Sequence, residues 1–258
     1  MKGVILAGGK ATRLRPITWV TNKHLLPVYN KPMIFYPVEA MVTSGIKEVL
    51  ITTNPEHVGQ FINLFKKVND FGIKISYEIQ DDPKGGIAQA IALAKSFANE
   101  KEIMVILGDN IFTYNLKNAV KSFLAQKTGA KVIAKKMPTE CMHYGVVELD
   151  TKGRVLSIEE KPTKPKSDLV QTGIYMYDAQ VFDFIAKQKP SNRGELEVTD
   201  LNNFYLKQKM LTCDLINDWW VDAGSSFEEL MRANILVAKE LMEDAEKANL
   251  LNLYSNKE

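Results

Sequence analysis

The first half of the chain alternates short apolar segments with stretches of helical periodicity, and this alternation restricts the possible folds most strongly. Such an order predicts an α/β fold, in which an open, mainly parallel sheet carries helices on both faces. Ligands of these sheets bind beyond the carboxyl ends of the strands, so polar residues that follow strands are the candidates for function. The predicted strands are residues 4–6, 48–54, 74–80, 102–110 and 130–137, and the predicted helices are residues 33–44, 56–68, 87–98 and 116–126.

The second half of the chain is richer in strand patterns. Residues 144–162 predict two strands around a turn at Lys152-Gly153, and residues 170–178 predict another strand, followed by a short helix over 179–187. Residues 218–230 read as a strand, a turn and the start of a helix. The simplest division is therefore one domain over residues 1–258, an α/β unit with a β-rich subregion.

The last part of the chain, residues 227–258, is expected to form a C-terminal helix. Amphipathic periodicity extends to Lys247, and Ser225 with Glu228 fits a capping box at its start. Helical spacing predicts a single apolar stripe formed by Phe227, Leu230, Met231, Val237 and Leu241.

Composition narrows the possible partners and compartments. Charged residues make up 25% of the 258 residues, and the net charge is only +2. So small a net charge disfavours nucleic acid or an acidic membrane surface as a partner. Neither a membrane span nor a cleavable signal pattern is expected. Cys141 and Cys213 lack metal-ligand spacing, which predicts two inert thiols in a cytoplasmic protein.

The opening segment "AGGKATRLRP" has the features of a phosphate-binding loop. Gly8 and Gly9 follow the first strand and let main-chain amides approach an anion, while Arg13 adds a bidentate donor. The spacing matches neither a Walker A motif nor the dinucleotide fingerprint, which argues against a dinucleotide-dependent oxidoreductase. Lys23 could add a compact positive charge. Taken alone, the same residues could form a surface turn with solvated basic side chains.

Carboxylates follow two further strands. Asp109 ends "ILGD" and Asp222 ends "WWVD", so both could converge on Mg²⁺ together with phosphate oxygens. The alternative for Asp109 is a helix N-cap. Gln80, before a turn that contains Gly85 and Gly86, could pair with the edge of a nucleobase, although an ordinary loop has the same composition.

Glu160 and Lys161 end another strand pattern and could bind a sugar hydroxyl and a sugar phosphate. The alternative is an exposed ion pair. His24, His57 and His143 are scattered and form no metal-spaced cluster. No nucleophile–base set is visible, which argues against hydrolase chemistry.

Nine segments, in order along nearly the whole chain, resemble the sugar nucleotidyltransferases, and among these the thymidylyl-transferring branch. The segments are "KGVILAGGKATRLRP", "KHLLPVYNKPMIFYP", "GGIAQA", "LGDNIF", "YGVVELD", "SIEEKP", "TGIYMYD", "RGELEVTD" and "WVDAG". Two positions depart from the family pattern. Ala11 replaces a glycine of the loop, and alanine resists positive φ. His24 replaces a glutamine.

The resemblance implies a Rossmann-like fold and transfer from dTTP to glucose 1-phosphate, with dTDP-glucose and pyrophosphate as products. UTP in place of dTTP, or use of both, is the alternative within this class. A non-catalytic nucleotide-sugar sensor or regulatory subunit is the alternative from another class. The resemblance also implies Mg²⁺ as cofactor and a homo-oligomer. Residues 1–137 would mainly bind the nucleotide, and residues 138–226 would mainly bind the sugar phosphate.

The same resemblance assigns residues to roles. The catalytic residues would be Arg13, Lys23, Lys161 and Asp109. The nucleotide would contact Leu6, Gly8, Gly9, Ala11, Thr12, Arg13, Lys23, Gln80, Pro83, Gly85, Gly86 and Asp109. The sugar phosphate would contact Asn110, Tyr144, Gly145, Glu160, Lys161, Gln171, Thr172, Gly173 and Trp220, and Mg²⁺ would bind Asp109 and Asp222.

Overall fold

A computed structural model describes residues 1–67, 71–82, 85–139 and 141–242 of the chain. The strands β1 to β13 are Lys2–Ala7, Pro27–Val28, Lys31–Pro32, Glu48–Thr53, Lys74–Ile79, Ile103–Leu107, Asn110–Phe112, Ala130–Lys136, Gly145–Leu149, Val155–Glu160, Leu169–Tyr177, Leu211–Ile216 and Trp220–Asp222. The helices α1 to α8 are Phe35–Thr43, Val58–Lys67, Gly86–Ala92, Lys95–Ala98, Lys117–Ala125, Val181–Lys187, Val198–Lys207 and Phe227–Leu241.

The central sheet is mixed and has helices on both faces, which confirms the predicted α/β class. Strands β5, β4, β1 and β6 are parallel neighbours in that order, as the alternating pattern predicts. Strand β11 pairs antiparallel with β6 and β8, and the hairpin β9–β10 extends the sheet beyond it. Strand β12 adds a parallel partner to β8. The second half therefore supplies the antiparallel, β-rich part.

Alternation along β1 divides the core between the two faces of the sheet. Val4 and Leu6 pack into a cluster with helices α3, α6 and α7. Ile5 and Ala7 pack into a second cluster with α1, α2 and α5. Because successive side chains of a strand point to opposite faces, this division follows directly from a strand that is buried on both sides.

A two-stranded ribbon of β7 and β13 stands beside the main sheet and carries the third core cluster. Asp222 pairs with Asn110 in this ribbon. Helix α8 packs on it through Ala233 and Val237. The ribbon matters for the site because β7 begins directly after the turn that follows β6.

Several predicted boundaries differ from the structure. The predicted helix over 87–98 is divided into α3 and α4. The predicted strand over 102–110 ends at Leu107, and a turn then leads into β7. Helix α7 and strand β12 were not predicted from the sequence. None of the helices in the described ranges is long and apolar enough to cross a membrane.

The start and the buried face of α8 also differ from the prediction. Ser226, not Ser225, caps the helix by accepting a hydrogen bond from the Glu229 amide at 3.2 Å. Ser225 is engaged elsewhere, because its hydroxyl donates to the carbonyl of Asp222 at 2.7 Å. Phe227, Met231 and Leu241 are exposed rather than part of a buried stripe. The helix ends at Leu241, and residues 243–258 lie outside the described residues.

Candidate active site

Three connected cavities form one cleft at the carboxyl ends of β1, β6 and β13. The small lobe, named for Gly8, Gly9 and Gly86 in its lining, has a volume of about 240 Å³. The charged lobe has a volume of about 210 Å³ and the wide lobe about 690 Å³. Lys23 and Asp109 line both the small and the charged lobes. Arg13 and Asp222 line both the charged and the wide lobes. These four charged side chains therefore stand where the lobes meet.

The loop after β1 forms one wall of the cleft. Gly9 has φ +89°, and Ala11 has φ +46°, so both lie in the left-handed region. Ala11 thus accepts a conformation that alanine disfavours, and its carbonyl accepts a hydrogen bond from the Thr18 hydroxyl at 2.8 Å. The following turn directs Arg13 across the cleft, where its guanidinium donates to the carbonyl of Ser225 at 3.4 Å.

A cluster of the buried Asp109 with the half-buried Lys23 and Asp222 dominates the electrostatics of the charged lobe. The Lys23 ammonium contacts the Asp109 carboxylate. Burial opposes the charge of Lys23, but the two carboxylates outweigh it, so the pKa of Lys23 is raised. Burial likewise opposes the charge of Asp109, yet Lys23 holds the pKa of Asp109 below its usual range. For Asp222, burial and then the charge of Asp109 raise the pKa.

Local backbone geometry brings the two acids together. The Ala223 amide donates to the carbonyl of Asp109 at 2.9 Å, which joins the turn after β6 to the turn after β13. Gly224 is required by the packing here, because a Cβ at this position would lie 2.3 Å from Asp109 Oδ2 and 2.6 Å from Lys23 Nζ. The convergence of Asp109 and Asp222 predicted from the sequence is thus present in the fold.

The two acids suit a hard divalent cation. Asp222 Oδ1 is buried and has no hydrogen-bond partner among the described residues. Within the same ranges, no three His, Cys, Asp or Glu side chains form a metal cluster. Two carboxylate groups that leave positions for phosphate oxygens and water are the arrangement that Mg²⁺ prefers. The residues present therefore fit Mg²⁺.

Besides the amide of Gln80, the small lobe is lined by small and apolar residues and by the charged Lys23, Asp109 and Glu195. Gln80 is buried, and its Nε2 lies 3.2 Å from Oε1 of Gln89. Gly8 makes room for it, because a Cβ there would lie 2.6 Å from Gln80 Oε1. Such a lobe can enclose a flat ring and pair with its polar edge.

His24, which departs from the family pattern, also lines the small lobe. Oδ1 of Asn22 lies 2.6 Å from His24 Nδ1, and the Asn22 amide group donates to the Ala7 carbonyl at 3.0 Å. Because Asn22 thereby presents an acceptor, Nδ1 carries the proton of the ring. Burial and then the charge of Lys23 lower the pKa of His24 to about 3. The imidazole is therefore neutral.

The wide lobe is bordered by β11, the end of β10 and the ribbon. Between Gln171 and Tyr175 the register of β11 with β8 shifts, and Thr172 and Gly173 within this irregular segment line the lobe. Asn110 Oδ1 accepts hydrogen bonds from the Gly173 amide at 2.8 Å and from Trp220 Nε1 at 2.7 Å. Asn110 therefore fastens β11 to the ribbon across the floor of the lobe.

The structure brings most of the predicted site residues to this cleft. Gly85 lies beside it, at the start of α3, and Pro83 lies outside the described residues. Those that line the small or charged lobe are Leu6, Gly8, Gly9, Ala11, Thr12, Arg13, Lys23, Gln80, Gly86, Asp109 and Asp222. Those that line the wide lobe are Asn110, Tyr144, Gly145, Glu160, Lys161, Gln171, Thr172, Gly173 and Trp220.

Sequence patterns did not identify several of the residues that line the cleft. Arg193, Glu195 and Glu197 line the wide lobe, and Arg193 Nη1 lies 3.9 Å from Glu160 Oε1. They belong to "RGELEVTD", which contributed to the family resemblance without any assigned role. A basic residue among acids before a helix was the available signal. Gly224 carried a weaker signal, as a glycine two residues after a candidate metal ligand.

Comparisons with known proteins agree with this geometry. The Nucleotidyl transferase family matches residues 2–240. A glucose-1-phosphate thymidylyltransferase of Neisseria meningitidis is 43% identical over 228 residues, which are 87% of this chain and 78% of that protein. One from Actinoplanes is 39% identical and covers 90% of this chain and 77% of its own length.

One solved structure supports the same assignment, and a more distant one shares the fold. A Bacillus anthracis structure, described as a glucose-1-phosphate thymidylyltransferase in complex with sucrose, superposes with a TM-score of 0.86 at 45% identity. The match covers 92% of this chain and 94% of that one. A UDP-glucose pyrophosphorylase with bound UDP-glucose shares the fold, with a TM-score of 0.83 at 24% identity and coverage of 93% and 98%. The chain described here therefore belongs to the nucleotidyl transferase family.

Proposed function

We propose that this protein transfers a thymidylyl group from dTTP to glucose 1-phosphate and forms dTDP-glucose and pyrophosphate. The observation that carries the proposal is the junction of the three lobes, where two acids and two basic side chains meet between a small and a wide cavity. Such a junction suits two anionic substrates that must react with each other. The activity that names the 37–43% identical relatives supports it.

The three lobes correspond to the three parts of the reacting complex. The small lobe holds the thymine and deoxyribose, with Gln80 at the edge of the base. The charged lobe holds the triphosphate against the loop of Gly9, Ala11 and Arg13. The wide lobe holds the sugar phosphate, with Glu160 toward the hexose hydroxyls. Residues 1–137 thus bind mainly the nucleotide, and residues 138–226 bind mainly the sugar phosphate.

The reaction is an in-line attack of a sugar-phosphate oxygen on the α-phosphorus of dTTP, with pyrophosphate as the leaving group. A phosphate monoester is close to a dianion near neutral pH, so the attack needs no general base. The barrier comes from bringing two anions together and from charge on the leaving group. Positioning and fixed positive charge therefore carry the catalysis.

Three basic side chains supply that charge. Arg13 reaches the junction of the charged and wide lobes and stabilises the departing pyrophosphate. Lys23, held charged by the carboxylates of Asp109 and Asp222, faces the α-phosphate. Lys161 lines the wide lobe and orients the attacking phosphate. Mg²⁺ held by Asp109 and Asp222 would supply further positive charge to the phosphate oxygens.

A substrate panel tests this proposal. The protein is incubated with Mg²⁺, each nucleoside triphosphate in turn and a set of hexose 1-phosphates, and the products are identified by mass. We expect dTDP-glucose as the main product. One methyl group separates thymine from uracil and is worth about 1 kcal/mol in an apolar pocket, so weaker use of UTP is also expected. No nucleotide sugar with any pair, despite bound nucleotide, would instead identify a sensor.

The proposal includes the compartment and the oligomeric state of the protein. The protein acts in the cytoplasm, as its isolated cysteines suggest. It assembles as a homo-oligomer, which light scattering of the purified protein tests through the mass of the particle.

A further inference from the structure

A chain of four hydrogen bonds runs from the core to the wide lobe. Tyr177 Oη donates to Asn202 Oδ1 at 2.7 Å, and Asn202 Nδ2 donates to Gln171 Oε1 at 3.0 Å. Gln171 Nε2 donates to Thr199 Oγ1 at 2.7 Å. Thr199 Oγ1 donates to Glu160 Oε2 at 2.5 Å. The chain thus connects a fully buried tyrosine to a carboxylate that lines the cleft.

The donor and acceptor roles along this series of hydrogen bonds are determined at its carboxylate end. An ionised carboxylate only accepts hydrogen bonds, so the single proton of the Thr199 hydroxyl points at Glu160. Thr199 must then accept from the amide nitrogen of Gln171, which turns the amide oxygen of Gln171 toward Asn202. The same reasoning turns the Asn202 oxygen toward Tyr177. Each donor polarises the next, and the last bond, to a charged acceptor, is the strongest kind.

The residues packed around these hydrogen-bonded side chains hold them in place. Thr199 and Asn202 lie three residues apart on the first turns of α7 and are 2% and 0% exposed. The Gln171 side chain lies close over Gly145, where a Cβ would be 2.1 Å from its Nε2. Both ends of the Gln171 amide are engaged by α7, and one of its two amide hydrogens is directed at Thr199.

The series of hydrogen bonds engages Oε2 of Glu160, while Oε1 faces two positively charged side chains. Glu160 Oε1 lies 3.9 Å from Arg193 and 4.0 Å from Lys161. Without the bond from Thr199, the carboxylate could rotate toward these two cations. With the bond from Thr199, the orientation of the carboxylate is fixed, and Oε1 keeps one position at the wall of the wide lobe.

We propose that Thr199 is a positioning residue for sugar recognition. Its hydroxyl fixes the Glu160 carboxylate so that Oε1 accepts a hydrogen bond from a hexose hydroxyl, and Gln171, Asn202 and Tyr177 hold that hydroxyl in its donating direction. The inference rests on the proposed function, since it assumes that the hexose occupies the wide lobe. A site that depends on one defined hydrogen bond distinguishes hydroxyl epimers.

The test uses Thr199→Val, which keeps the shape and removes the donor, and Thr199→Ser, which restores the donor. The KM values for glucose 1-phosphate and dTTP, and kcat, are measured for each full-length variant. We expect kcat/KM for glucose 1-phosphate to fall about 10- to 100-fold in Thr199→Val, as for a lost bond to a charged group, with the KM for dTTP unchanged. Thr199→Ser should recover most of the loss. Discrimination against galactose 1-phosphate should fall in Thr199→Val.

Thr212→Val is the matched control, because Thr212 donates to Gln126 at 3.0 Å at an exposed site away from the cleft. It should leave every kinetic parameter unchanged. If Thr199→Val does not fold, Thr199→Ala removes the same donor without introducing a misfitting methyl group. Equal loss toward both substrates, no loss, or loss without rescue by serine would overturn the inference. A wild-type protein that does not use glucose 1-phosphate would instead contradict the proposed function.

Discussion

The main-chain amide of Ala223 donates a 2.9 Å hydrogen bond to the carbonyl oxygen of Asp109. This bond, with the pairing of Asp222 and Asn110 in the ribbon, holds two acids from distant parts of the chain at one cavity. Lys23 completes the cluster. The predictions below follow from this arrangement and from the loop that faces it.

Asp222→Asn tests whether the pair of acids binds Mg²⁺. The substitution keeps the size of the side chain and removes one negative charge from a site that fits a divalent cation. We expect turnover to fall by about 10²-fold and the Mg²⁺ concentration for half-maximal rate to rise. A Mg²⁺ titration of the steady-state rate measures both.

Asp218→Asn provides the control, since Asp218 is an exposed carboxylate four residues earlier. It should behave as the wild type. An unchanged Mg²⁺ titration in Asp222→Asn would exclude Asp222 from the metal site.

Gly224→Ala tests the packing of the charged lobe. A Cβ at this position would press on Asp109 and Lys23, at 2.3 Å and 2.6 Å, so the cluster must shift. We expect turnover to drop by about 10²-fold or more, because small displacements of a charged site are costly to catalysis. Gly59→Ala on helix α2 is the matched control, since its Cβ would meet no atom within 4 Å, and it should leave turnover unchanged. Normal turnover in Gly224→Ala would show that the cluster tolerates displacement.

Ala11 is expected to tolerate glycine but not valine. Its φ of +46° costs a residue with a Cβ about 1 kcal/mol, and a β-branched side chain costs more. Ala11→Gly should therefore retain turnover and the KM for dTTP. Ala11→Val should raise the KM for dTTP about 10-fold by reshaping the loop around the phosphates. Equal kinetics for the two variants would mean that the loop geometry is not required for nucleotide binding.

Cys213 should be unreactive at neutral pH. Burial, and then the charge of Asp214, raise the pKa of the Cys213 thiol to about 12. At pH 8 its thiolate fraction is about 10³-fold below that of an exposed cysteine, and alkylation should slow accordingly. Because raised pH restores the thiolate, the rate should climb steadily up to the highest pH at which the protein remains folded.

The Cys141→Ser variant leaves Cys213 as the single remaining thiol of the two in the chain, so its modification can be followed by mass. The unfolded variant gives the reference rate. A folded-state rate close to that reference would contradict the predicted protection.

Local patterns were sufficient to predict the parallel half of the sheet. Strands β1, β4 and β6 contain buried apolar runs, and β5 is marked by β-branched and aromatic residues. Helix α1 ends at Thr43, two residues before the predicted stop residue Gly45, which has φ +86°. The convergence of Asp109 and Asp222 was also predictable, because both follow strands. The wide lobe could be listed residue by residue only through the family resemblance.

Other features depend on contacts that sequence patterns do not encode. Helix α7 has polar Thr199 and Asn202 buried toward the sheet, so its inner face does not look apolar. The cap of α8 moves to Ser226 because Ser225 bonds back to Asp222 in the preceding turn. Arg193 and Gly224 acquire their roles only when the ribbon and the α7 loop close around the cleft.

The most direct test of the proposed reaction follows oxygen atoms. Glucose 1-phosphate carrying ¹⁸O in its phosphate is incubated with dTTP, Mg²⁺ and the enzyme, and the products are examined by mass spectrometry and ³¹P NMR. Direct attack on the α-phosphorus predicts that all of the label remains in dTDP-glucose, with ¹⁸O in the bridge between its two phosphorus atoms, and that pyrophosphate is unlabelled. Label in the released pyrophosphate, or no dTDP-glucose at all, would contradict the account.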